Sequence, residues 1–452
     1  MSASRRAVFV VAGFVVATGW SAIAQQAVSE RPVGGASASV TFARDVAPIL
    51  QRSCMQCHQP GSIGPMALTT YEEVRPWARA IKQKVLAGEM PPYRYDRDVG
   101  IQHLKDDLRL SEADVQTIAR WVDSGAPLGN RADLPPAPKF PDPDKWAFAD
   151  QLGAPDVIIR TKPYTLAARG QDVWWRPIVP TGMTEDRCIR AISVKPSRKG
   201  RAAAHHANTE FVVFDEKSGQ WVETERVSEY ALGKVGEVVP SDSCRTFPAN
   251  SMVRWDVHYY PTGEEIVDDV IEMGIWLYPK EYKSTYKQDL KLYSLLMKGS
   301  ELEMPPHSTV MTQGFHSFKT PVRIDSFQPH GHFRLVGKTL EIFYPETGKL
   351  EMVSSISNWT NNWHTSHIYA DEAAPLVPKG AVLVVTGYYD NTKENKQNPD
   401  PDQWVGLGSR TADEMSHAWI AVTHLDEERY KTLKAEREKR QTTDASREQP
   451  RQ

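Results

Sequence analysis

Cysteine is scarce: the chain of 452 residues holds four. Structural zinc asks for several thiolate or imidazole ligands close together, and after Cys54 and Cys57 no cysteine appears before Cys188. Charge of one sign is also missing. A net charge of −3 gives no electrostatic footprint for nucleic acid. Long apolar runs are absent beyond the first residues, so an integral membrane protein is not expected. The start, MSASRRAVFVVAGFVVATGWSAIAQ, has a basic end at Arg5 and Arg6 and an apolar run from Ala7 to about Thr18. The small-residue pattern Ala22-Ile23-Ala24 follows. This predicts a secretory signal peptide over residues 1–24, cleaved after Ala24, and a periplasmic or secreted protein. The alternative is an uncleaved anchor. Roughly 430 residues would remain, more than one compact core holds, so two or three domains are expected.

What is present begins with CMQCH, residues 54–58. Two thiols in this spacing can bond the vinyl groups of a haem while the next histidine reaches the iron. A thioredoxin-like pair would want a preceding strand, but TFARDVAPILQRS reads as a helix, with Val46, Ile49 and Leu50 on one side. One covalent haem c on Cys54, Cys57 and His58 is the expectation. Its sixth ligand is predicted to be Met90, held on a stiff GEMPP loop, with Met66 as the rival. A thioether there raises the iron's potential. Ser111 caps a closing helix, SEADVQTIARWVDSGAP, that Gly125 and Pro127 stop. Residues 41–130 resemble a small class I cytochrome c, carried by FARDVAPIL, CMQCH, GEMPP and IARWVDSGAP.

Residues 131–153 are rich in proline and charge and read as a linker. Beyond them DVIIR, IRAISVKP, TEFVVF, MVRWDVHYY and VIEMGIWLY alternate as strands, and two mostly-β sandwich units are the natural expectation. Three histidine groups stand out among the 13 of the chain. His205 and His206 are adjacent, so they reach one metal only through a twist, a bulge or a strand end. His258, in a strand ending at a Pro–Gly turn, could join them, and three neutral imidazoles suit copper or zinc. The bland alternative makes all three polar or half-buried strand residues. His330 and His332, one residue apart, share a strand face. Their third partner stays open among His364, His367, His417 and Met415. A copper passing through Cu(I) accepts a thioether.

In this order, the His205-His206 pair, VHYYPTG, PHGHFRLVGK, VVTGYYDNT and TADEMSHAW resemble the copper type II, ascorbate-dependent monooxygenases. That family includes peptidylglycine α-hydroxylating monooxygenase and dopamine β-monooxygenase. The resemblance spans about residues 155–425 and implies two β-sandwich domains and two coppers. It assigns His205, His206 and His258 to an electron-transfer copper, and His330, His332 and Met415 to the copper that meets dioxygen. The fold class expected is therefore multidomain. A small all-α cytochrome c domain, 41–130, precedes two jelly-roll-like sandwiches over 154–300 and 301–428, and a charged tail fills 429–452. The sequence also departs from the family. Animal members carry many disulfides, whereas here only Cys188 and Cys244 remain; they are expected to pair, the alternative being two buried thiols. Trp419 stands where animal hydroxylases have a tyrosine, so peptide or catecholamine recognition does not transfer.

Together these readings predict a periplasmic oxidoreductase that hydroxylates a C–H bond of a small organic substrate with dioxygen. Electrons would come from a periplasmic donor through the haem, which serves as a tethered carrier. Rival readings are an electron-transfer or copper-binding protein, or a structural subunit of a periplasmic complex. Oligomerisation stays open.

Overall fold

The computed structural model of the chain describes residues 39–60, 62, 64–105, 107–138, 144–231, 236–294, 302–361 and 365–448; the expected signal peptide and His364 lie outside them. Strands dominate from Val157 onward. Met252–Tyr259 illustrates why. Val253, Trp255 and Val257 are buried, while Met252, Arg254 and Asp256 between them are half-buried. That period of two is the mark of a strand with one face on a core.

A ten-stranded sheet forms the spine. Its order is Val157–Arg160, Glu272–Leu277, Arg187–Lys195, Ser243–Phe247, Tyr286–Ser294, His417–His424, Val322–His330 and His367–Ile368, with two short strands attached beside this path. Over its first half packs a five-stranded sheet that includes Ala204–Asp215, Gln220–Ala231 and Met252–Tyr259. The core between them is built on Ile192, Phe211, Phe247 and Trp255. Over its second half packs the sheet of Thr309–Ser317, Val382–Asp390, Leu335–Tyr344 and Lys349–Ile356, around Phe327, Leu340 and Val385. A disulfide joins Cys188 and Cys244 on neighbouring strands of the spine.

This architecture corrects the expected fold class. Among the described residues the chain is mostly β-sheet, with short helices before the strands and one 22-residue helix, Glu427–Glu448, after them, and no separate all-α domain precedes two separate sandwiches. Between Phe42 and Asp123 the longest helix, Glu112–Asp123, has 12 residues. These helices share a small core around Phe42, Leu50 and Trp121, yet Val40 to Gln452 forms one compact unit. The two β halves share the spine because Tyr286–Ser294 pairs in parallel with Ser243–Phe247 on one side and antiparallel with His417–His424 on the other. Arg323 reinforces the join, donating to both carboxylate oxygens of Asp242 at 2.9 and 3.0 Å. Such bidentate pairs fix geometry as well as charge.

The helical segment is also fastened to the second half. Ile101 N–H donates to Val353 O at 2.9 Å, Asp96 N–H to Ser355 O at 2.8 Å, and Lys105 N–H to Ile368 O at 2.8 Å. Asp96 accepts from the backbone and hydroxyl of Ser357 at 3.0 and 2.7 Å. No helix among the described residues is long and apolar enough to cross a membrane.

Candidate metal centres and cofactor cavity

The adjacent pair His205-His206 meets its geometric requirement through a bulge. His258 pairs with His206, but Tyr259 pairs with Ala204, so His205 is the extra residue. A bulge re-aims one side chain without ending the ladder. The result is a group in which one ring nitrogen from each of His205, His206 and His258 lies within 4.8 Å of the others. The His258 Nε2 lies 2.9 Å from Asp172 Oδ2, while Nδ1 is buried with no hydrogen-bond partner among the described residues. The indole of Trp174 stacks on the His258 ring at 4.5 Å. Burial, with His258 nearby, pushes His205 down to about 4. Burial also lowers His258, against the raising influence of Asp172. Neutral imidazoles are the ligand form, and a carboxylate behind one ring fixes its tautomer. Asp256, a sequence neighbour that might have served, instead pairs with Arg176 at 2.6 Å.

His330 closes the strand Val322–His330, and His332 lies two residues beyond its end, with ring centroids 5.5 Å apart. Gly331 between them allows no side chain, since a Cβ there would lie 2.6 Å from Leu335 Cδ2. The His332 Nδ1 sits 3.2 Å from the Asp413 carbonyl, leaving Nε2 for a ligand. Glu414 accounts for the link to Met415. Its carboxylate, fully buried, accepts the backbone N–H of His332, that of Arg334 at 2.9 Å and that of Met415 at 2.9 Å. Tyr389 adds a hydroxyl bond to the Met415 carbonyl at 3.0 Å. Lys338, fully buried, donates its ammonium to the carbonyls of His330 and His417, the latter at 2.7 Å. Burial pushes this lysine down to about 7.

Of the rivals for third ligand, His367 stands in the core and His417 stands beside His330. His367 lies in the core against Tyr95 at 4.4 Å and Phe327 at 6.1 Å, and neither of its nitrogens has a hydrogen-bond partner among the described residues. His417 stacks on His330 at 5.9 Å. The two histidine groups themselves adjoin, with the His206 and His330 rings 5.8 Å apart.

Cys54, Cys57 and His58 line a cavity of about 730 Å³, as do Met66 and Met90. Cofactor pockets run roughly 300–1,000 Å³. The two cysteines are not joined to each other, and burial pushes Cys54 up to about 12. The His58 Nδ1 lies 3.1 Å from the Met66 carbonyl, which leaves Nε2 for a metal. A Cβ at Gly64 would meet that Nδ1 at 2.6 Å, so glycine is needed there. These residues fit a covalently held haem, with Met66 tied to the His58 ring and Met90 the other methionine on the wall. Sequence reasoning missed Asp172, Glu414 and Lys338. Only the acidic residue beside Met415 gave any signal.

No family model matches the chain, and no curated protein matches it in sequence. Among solved structures it is similar to major capsid protein P2 of bacteriophage PM2, at 7% identity over 59% of this chain and 97% of that one, with a TM-score of 0.24. It is similar to PNGase F at 9% identity, over 60% and 96%, with a TM-score of 0.26. The VP2 subviral particle of infectious bursal disease virus matches at 8% identity, over 62% and 74%, with a TM-score of 0.18. None of the three is described as a copper or haem protein, and likenesses this weak carry no argument.

Proposed function

We propose that the chain is a periplasmic, haem c-linked dicopper monooxygenase that hydroxylates a C–H bond of a small organic substrate. One observation supports this above the rest: five imidazoles converge from two strand systems, with His206 and His330 adjoining. Bound here, copper would cycle between Cu(II) and Cu(I) and reduce dioxygen, and haem would relay single electrons. His205, His206 and His258 would hold one copper. His330, His332 and Met415 would hold the other, and Cys54, Cys57, His58 and Met90 the haem.

The chain's own residues act by positioning. Asp172 keeps the His258 tautomer, at 2.9 Å from its Nε2. Glu414 sets the spacing between the His332 and Met415 backbones. Burial keeps His205 neutral at physiological pH. The net reaction places one oxygen atom in the C–H bond and releases the other as water, consuming two electrons and two protons. It requires no side-chain acid or base, and none is assigned. Haem and metal analysis of the purified protein, then dioxygen uptake over a panel of small organic substrates, tests the reading. Substrate-dependent uptake with a hydroxylated product supports it. Both coppers present without such uptake supports an electron-transfer protein instead.

A further inference from the structure

The cavity that holds Cys54, Cys57 and His58 is not walled by the helical segment alone. Thr360, Thr365, Ser366 and Ile368 of the second β half complete it. The Thr365 hydroxyl donates to the Pro92 carbonyl at 3.3 Å, and the backbone bonds of Ile101 and Lys105 hold the segment in place. A haem seated there would stand at a fixed position against the β body, not on a free tether.

From this wall a chain of buried polar side chains leads inward. The Ser366 hydroxyl donates to Gln328 Oε1. The Gln328 amide donates to Glu229 Oε2. Gln328 and Glu229 are each 2% exposed. Gln328 lies on the His330 strand, two residues before His330, so both side chains take the same face. Glu229 pairs with Asn208, two residues beyond His206 on its strand. Buried amide and carboxylate groups are costly unless fully bonded. Apolar residues would fill this position at less cost if packing were its only role.

We infer that Ser366 and Gln328 couple the haem cavity to the His330–His332 centre, so that electrons from the haem arrive first on the His330 side. The inference rests on the haem and copper assignments above, and it alters the expected order, in which the three-histidine copper is the first acceptor. Electron transfer weakens steeply with separation and prefers covalent and hydrogen-bonded paths to gaps. Ser366, Gln328 and two residues of backbone make such a path to His330, and His206 adjoins His330 with ring centroids 5.8 Å apart, so along this path the His330 side comes first. With both groups bound, the step would carry one electron from ferrous haem to Cu(II), leaving ferric haem and Cu(I), with no proton or bond changing hands.

The test uses full-length protein loaded with haem and copper and kept free of dioxygen. The haem is reduced by a light flash in the presence of a photoreductant, and its reoxidation by bound Cu(II) is followed by absorbance. Q328L removes both hydrogen bonds at similar volume. It is expected to slow reoxidation, with haem spectrum, haem potential and copper content unchanged. S366A, on the cavity wall, is expected to slow it as well, and S366T, which keeps the hydroxyl, to restore the rate. S366A decides the matter should Q328L fail to fold. H258A should keep the first reoxidation phase, and H330A should lose it. Unchanged rates in Q328L or S366A, or loss of that phase in H258A with retention in H330A, would overturn the inference while leaving the proposed function intact. Wild-type protein that takes up no haem or no copper refutes the assignments themselves.

Discussion

The rings of His206 and His330 lie 5.8 Å apart, centroid to centroid, although they stand on different sheets. Their nearness sets the two proposed copper centres side by side, with the bulge at His205 re-aiming one ring of the three-histidine group.

The first prediction is a stoichiometry. Wild-type protein should bind two coppers, and His258→Ala should lose one while the His330 side keeps its own. Copper counted by mass spectrometry after desalting checks this. Full copper content in the variant contradicts the three-histidine centre.

A second prediction concerns Glu414. Replacing it with Ala strips two buried backbone N–H groups, of His332 and Arg334, and the part-buried one of Met415 of their acceptor. Each buried loss costs about 1–3 kcal/mol, so a stability loss of at least about 2 kcal/mol is expected from urea unfolding of the metal-free protein. Glu414→Gln, which retains one acceptor oxygen, should lose less. A midpoint unmoved in Glu414→Ala removes the clamp from the account.

How much of this was legible in the sequence can be read from particular residues. The spacing of CMQCH and of PHGH pointed to sites because few other uses put those residue types together. The period of two marked Met252–Tyr259 as a strand. The bulge at His205 was named as one of three requirements but could not be located, since a bulge is a matter of register between strands. The shared spine was not legible. The parallel pairing of Tyr286–Ser294 with Ser243–Phe247 depends on tertiary contact, and no local pattern announces it. Residues 96–105 were counted within the expected cytochrome c domain, yet backbone bonds of Asp96, Ile101 and Lys105 run to the second β half. Asp172 was invisible because carboxylates are common and only its partner singles it out, while Glu414 showed only as part of the DEM motif, its role being set by burial and partners.

Acid should weaken the fold. Burial lowers His205 to about 4, His417 to about 3 and His367 to about 3. An unfolded histidine titrates near ~6.5. Below that pH the unfolded chain binds protons that the folded chain refuses, so stability rises with pH through this window and falls as pH drops from about 6.5 toward 4. Urea midpoints of metal-free protein should decline across that range. In His367→Leu the decline should be shallower, because one contributor is gone. Equal slopes in the variant and the wild type would contradict the buried neutral imidazole.

The haem assignment has its own check. Met90→Ala should open the sixth position, shift the optical spectrum from low toward high spin and lower the potential. Met66→Leu should leave the spectrum unaltered, because the backbone carbonyl of residue 66, not its side chain, meets His58. A low-spin spectrum unchanged in Met90→Ala rules out Met90.

The central claim is that His330, His332 and Met415 form a copper centre fit to meet dioxygen. Copper-edge X-ray absorption of the reduced, copper-loaded protein tests it most directly. The account predicts a sulfur neighbour beside nitrogen scatterers in the wild type, and its disappearance in Met415→His with copper still bound. Reduced wild-type protein with only nitrogen and oxygen neighbours would contradict the centre, and with it the monooxygenase reading.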